Sequence, residues 1–191
     1  MSVFFALFSY GQCLYSKEQT INMGNVTYIA DMGSYGCLLH DVKNVWTFTK
    51  RAMKDGSHFK GGLDDAPNPY DSNKDVVETV YEIVYSVLTK TELEMTKGET
   101  LIITMFINSD TGIIDEMNFS FFIGNNKWCR IPPEKYYAIE QKIRNSGLKF
   151  TMLEGKKYTY NLCWIPVKYH DGWYEKILPP IINPGGEILK R

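Results

Sequence analysis

The chain has 191 residues with 21 basic and 22 acidic side chains, and 44% of its residues are hydrophobic. That length supports one domain, or one domain with an N-terminal extension, and a core that needs neither metal nor disulfide staples. The near-neutral balance, with no basic run, excludes the clustered Lys and Arg that nucleic-acid binding or an anionic membrane surface requires.

The first dozen residues, Met1 to Gln12, form a short apolar run followed by the polar Ser16-Lys-Glu-Gln-Thr20. The run is too short to span a bilayer and resembles the end of a secretory signal peptide, so 1–15 is read as a leader remnant and the protein as periplasmic or secreted. A buried N-terminal strand is the competing reading, and Cys13 adds a lipoprotein option that Gln12 before it fits poorly.

Residues 16–72 carry a β-rich segment and a loop. Ile21, Met23, Val26, Tyr28 and Ile29, then Cys37-Leu-Leu39, then Val45-Trp-Thr-Phe48, predict two to four strands punctuated by glycine. Between Lys54 and Asn73 the glycines, prolines and aspartates predict a long exposed loop. Asp64, Asp65, Asn68 and Asp71 offer hard oxygen ligands there, without the spacing of a calcium loop.

A more regular unit is expected over 73–170. Asn73 or Asp75 caps a helix whose apolar stripe is Val76, Val80, Ile83, Val84 and Val87, and which stops, after a break, at Gly98. Thr100 to Ile107 reads as a strand, Asn108-Ser-Asp-Thr-Gly112 as a turn, and the return strand alternates, with Ile113, Met117, Phe119 and Phe121 on the core face and Glu116, Asn118 and Ser120 on a wet face. Pro132-Pro133-Glu134 starts a second helix, which Gly147 ends near Ser146. Leu148, Phe150 and Met152, then Tyr158, Tyr160, Leu162 and Trp164, predict a second hairpin about Glu154-Gly155. The tail, 171–191, reads as irregular. The fold class is therefore α+β: an antiparallel sheet packed by two helices in the order helix, strand, strand, helix, strand, strand, with a β-rich extension.

Chemistry is sparse. Cys13, Cys37, Cys129 and Cys163 form no C-x-x-C pair, and no metal or cofactor is expected. Cys129 and Cys163 are either a disulfide or two buried thiols. Cys37 and His40, three apart in a strand, fall on opposite faces, which makes Cys37 a core residue rather than a nucleophile. Asp115-Glu116 is not a glycosidase pair. His58 and His170 are expected at the surface. The alternation of Tyr158, Tyr160, Leu162 and Trp164 predicts a core-facing strand, while Trp164, Tyr169, Trp173 and Tyr174 are the candidate partner-binding residues, since aromatic rings with polar tips suit interaction surfaces.

Leu101-Ile-Ile-Thr-Met-Phe-Ile-Asn108, Asp110-Thr-Gly112, Met117 and Phe119, Ile131-Pro-Pro133, and Leu148-Lys-Phe150 leading to Gly155-Lys156 carry a likeness. Over Asp75 to Tyr169 the chain resembles the C-terminal domain of TonB-type energy transducers, in the form found in small exported Gram-negative envelope proteins. The resemblance implies a small antiparallel sheet with two helices; no functional residue carries over.

These readings predict a non-enzymatic envelope protein that binds a protein partner by adding a strand at the Trp164–Tyr169 edge. The alternative is an envelope enzyme, or a small-ligand or carbohydrate-binding protein, with a cleft between the N-terminal segment and the 73–170 unit and the acidic loop as a lid. A third reading is a cytosolic structural protein with its N-terminus folded in.

Overall fold

The computed structural model describes residues 13–33, 36–57, 72–122, 127–151, 155–171, 181–182 and 188–189. Six strands, β1 (Gln19–Met23), β2 (Val26–Gly33), β3 (Gly36–Asp41), β4 (Thr100–Asn108), β5 (Ile114–Phe121) and β6 (Tyr160–Lys168), form one antiparallel sheet in the order β1-β2-β3-β5-β4-β6. The helices are α1 (Val76–Val87), the short α2 (Lys90–Met95) and α3 (Pro133–Arg144). The α+β class is as expected. The β-rich extension joins the sheet of the later unit through β3, which pairs with β5 at Cys37–Phe121 and Leu39–Phe119.

The helix-side core follows from strand alternation. Ala30, Leu39, Phe119, Ile103 and Ile165 stand in one row across five strands, each fully buried. Val76, Val80 and Val84 of α1 and Tyr136, Ile139 and Ile143 of α3 complete this core. Local chemistry sets the helix ends: Asp75 Oδ1 accepts from the Glu78 N–H at 2.8 Å, and Thr89 and Glu92 form a reciprocal capping box. Two buried glutamates anchor the helices, Glu140 to the sheet and Glu92 to α3. Glu140 takes the Tyr28 hydroxyl and, at 2.8 Å, the Arg144 guanidinium; Glu92 lies 3.2 Å from Lys135 Nζ. Burial, and then the Glu140 carboxylate, push the Tyr28 hydroxyl far above its ordinary pKa.

Several expectations are corrected. Ile113 is 51% exposed and Ile114 is buried in its place, because the register passes from Phe106–Glu116 to Ile107–Ile114 and leaves Asp115 as an extra residue that reverses the alternation. The second hairpin does not form: β6 pairs with β4 along its whole length, and Phe150 makes only a single bridge, to Ser72. Along β6 the core-facing residues are Cys163, Ile165 and Val167, not Leu162 and Trp164. Trp46–Phe48 is a 3-10 turn rather than a strand. Cys129 is bonded to Cys13, with Cα atoms 4.9 Å apart, while Cys163 and Cys37 are buried thiols. The tail contains a two-residue ladder, β7 (Ile181–Ile182) with β8 (Ile188–Leu189).

Residues 13–15 belong to the folded body. Leu14 N–H donates to Cys129 O at 2.7 Å, the Tyr15 hydroxyl donates to Ile131 O at 2.9 Å, and Tyr15 is fully buried. The earlier part of the expected leader lies outside the described residues.

Candidate functional site

The sheet face opposite the helices is where the candidate site forms. Strand alternation places Asp31, Leu38, Ser120, Ile102 and Pro166 in one cross-strand row on this face, and Ile29, His40, Asn118, Thr104 and Trp164 in the next. A wet surface was expected for β5 here, yet His40, Thr104 and Asn118 are buried. The chain after β3 explains the difference, because it folds back across this face.

That strap is held by specific bonds. Glu116 accepts from the N–H groups of Val45 and Trp46 at 2.7 and 2.8 Å, and Asn44 Nδ2 donates to Met117 O at 2.7 Å. Trp46 then stacks on Tyr160 at 5.2 Å, and the Tyr160 hydroxyl donates to Thr49 O. Tyr158 and Tyr160 are buried, as the sequence predicts, but beneath this strap rather than beneath a helix.

Where the strap ends, the face opens into a cleft of about 600 Å³. Leu38, Ser120 and Ile102 make its floor, and Phe48 and Phe122, 64% and 59% exposed, stand in its walls. Met32, Cys37 and Phe121 continue it into a smaller cavity of about 160 Å³ that reaches the Cys13–Cys129 bond. Glu18 and Asp31 supply its carboxylates. The volume falls in the range of small-ligand sites, and the mostly apolar lining with a few polar groups is their usual chemistry. The cleft combines the N-terminal strands β2 and β3 with β4 and β5.

The cleft is poorly equipped for catalysis. Both ring nitrogens of His40 are held by oxygen partners, Asp31 Oδ2 and Asp41 O, each at 2.9 Å, which leaves the ring no free nitrogen to turn toward a ligand. Burial pushes the Cys37 thiol up to about 12, with the Asp31 carboxylate a lesser cause, which disfavours a thiolate. Cys37 and His40 lie on opposite faces, as expected. Among the described residues no group of three His, Cys, Asp or Glu side chains is arranged to hold a metal ion. The acidic stretch 64–71 and His58 lie outside the described residues; His170 is exposed.

The predicted partner-binding aromatics are not brought together. Trp164, 60% exposed, stands on the strap-side face of β6, whereas Tyr169 is half-buried against the helix-side core, with Lys97 Nζ 5.5 Å from its ring centre. Trp173 and Tyr174 lie outside the described residues. Strand β6 is at the sheet's edge, but much of its outer margin is occupied. The Tyr81 hydroxyl donates to Pro166 O at 3.0 Å and accepts from the Lys168 N–H at 3.2 Å, and the Tyr85 hydroxyl donates to Lys168 O at 3.3 Å. Proline 166 itself has no N–H to offer. At the other end Thr159 N–H donates to Ala52 O at 3.0 Å. These groups blunt the edge as natural sheets commonly do.

Fold and cleft together define an α+β protein with a six-stranded antiparallel sheet, helices on one of its faces and a strap-bordered cleft on the other. The chain belongs to the family described as Domain of unknown function (DUF5043), which it matches over residues 12–164. It is similar to a crystal structure of a DUF5043 family protein from Bacteroides uniformis ATCC 8492, at 27% identity and a TM-score of 0.73, over 92% of this chain and 96% of that one. No curated protein matches the chain. The matched span takes in every element from β1 to α3 and the first half of β6. No helix of the described residues is long and apolar enough to cross a membrane.

Proposed function

We propose that this protein is an exported, non-enzymatic binding protein that holds a small apolar molecule in the strap-bordered cleft. The observation that carries the reading is the cleft itself: about 600 Å³ of mostly apolar space whose floor, Leu38, Ser120 and Ile102, sits on three neighbouring strands of a rigid sheet. A preformed floor lowers the ordering cost of binding. The Cys13–Cys129 bond supports export, since structural disulfides persist in oxidising compartments. It also speaks against a lipid on Cys13, whose sulfur is already engaged. With Tyr15 in the core, a leader would have to end before Cys13. The apolar lining favours a hydrophobic ligand over a carbohydrate.

Titration with the neutral fluorescent probe N-phenyl-1-naphthylamine tests this. Saturable one-to-one binding is expected for the wild type, and its loss in Ser120→Phe, which fills the floor from a half-buried position. Equal binding by that variant, or none by the wild type, would remove the reading.

Docking of a protein partner over Trp164 is the second reading, supported by that residue's exposure on the edge strand. With Tyr81, Tyr85 and Pro166 at the margin, such a partner meets side chains rather than extending the sheet.

A further inference from the structure

We propose that the cleft selects organic cations: an ammonium group carried on an apolar tail. This rests on the ligand-binding reading above and adds the charge of the ligand. Glu18, just ahead of β1, and Asp31 on β2 both line the cleft. Among the described residues no Lys or Arg lines the cleft to offset these carboxylates. Glu18 has no ion-pair partner among the described residues, and Asp31 meets His40 Nε2 on one oxygen at 2.9 Å while its side chain stays one-third exposed.

The aromatic walls point the same way. Phe48 and Phe122 are more than half exposed and border the same space. A ring face attracts a cation and an apolar tail, and repels an anion. Two carboxylates at the mouth, rings at the sides and aliphatic side chains on the floor thus match an amphiphile with its positive end outward. A carboxylate or phosphate head would meet Glu18 and Asp31 at close range.

Isothermal titration of the full chain with three ligands of equal tail length, octyltrimethylammonium, octan-1-ol and octanoate, tests the assignment. The cation is expected to bind roughly three- to tenfold more tightly than the alcohol, the range that two partly exposed charge pairs supply, with octanoate weakest. Glu18→Gln, at an exposed position, should reduce the preference for the cation over octanol, and adding Asp31→Asn should abolish it. Equal affinities for cation and alcohol, or a preference for octanoate, would overturn the charge assignment while the cleft reading stands. Failure of all three to bind would overturn both.

Discussion

Replacing Cys13 by serine removes the one covalent tie between the start of the folded body and the segment leading into α3. The bonded residues are 116 positions apart. In the chain-entropy treatment a loop of that size restricts the unfolded chain by about 5 kcal/mol, and losses measured for native disulfides run at about 2–5 kcal/mol. For a chain of this length such a loss lowers the melting temperature by about 10 °C. Cys13 is only half-buried and two neighbouring hydrogen bonds, from Leu14 and Tyr15, remain, so little packing is lost with the sulfur. Urea unfolding of Cys13→Ser and of the reduced wild type should give similar midpoints, both well below the oxidised wild type, with Cys163→Ser as the control that keeps the bond. A non-reducing peptide map should join the Cys13 peptide to the Cys129 peptide. A Cys129–Cys163 linkage, or a Cys13→Ser midpoint equal to that of the oxidised wild type, would refute the reasoning.

Gly112→Ala should destabilise by about 2 kcal/mol or more, because φ is +70° there and an added Cβ would stand 2.1 Å from Phe150 O; Gly98→Ala, at φ +89° with open space around it, should cost nearer 1 kcal/mol by the same urea assay. Glu140→Ala should cost about 2–4 kcal/mol, since it leaves the buried Tyr28 hydroxyl without its acceptor and removes the Arg144 ion pair, although Arg144 keeps its bonds to the Ile114 and Asp115 carbonyls, whereas Tyr28→Phe should cost about 1–3 kcal/mol. Burial pushes the Cys163 thiol from about 9 up to about 12, so between those values the unfolded chain releases a proton that the folded chain keeps. Stability is therefore unaffected by this group below about pH 9 and falls as the pH rises toward 12, and Cys163→Val should flatten part of that fall in urea midpoints measured from pH 8 to 11.

How much of this was legible depended on whether one face or two were buried. Helix α3 was readable because Pro132-Pro133, the stripe of Tyr136, Ile139 and Ile143, and Gly147 all mark the same element, and α1 because Asp75 precedes Val76, Val80 and Val84. Strand β6 was misread because both its faces are covered. Tyr158 and Tyr160 pack under the strap while Cys163, Ile165 and Val167 pack under the helices, so alternation alone could not say which set was the main core. Ile113 was misplaced by a bulge of one residue, which no composition signal announces. The pairing of Cys13 with Cys129 is a long-range choice that spacing cannot fix. The cleft was foreseen only as a meeting place of the N-terminal segment and the later unit. Its residues, Leu38, Phe48, Ile102, Ser120 and Phe122, are ordinary sheet and turn residues that become a site only when the strap leaves them uncovered. The short gap between β3 and the aromatic Trp46-Thr-Phe48, with Glu116 at a strand position facing the same way, was the one available hint of that strap.

The central claim is that the uncovered half of the sheet's second face takes a small apolar ligand. Methyl-labelled NMR spectra of the folded chain during titration with octan-1-ol test it most directly. The account predicts saturable shifts at Leu38 and Ile102, with Leu162, further along the same face, unmoved. Shifts centred on Leu162, or methyl spectra unchanged at saturating ligand, would contradict it.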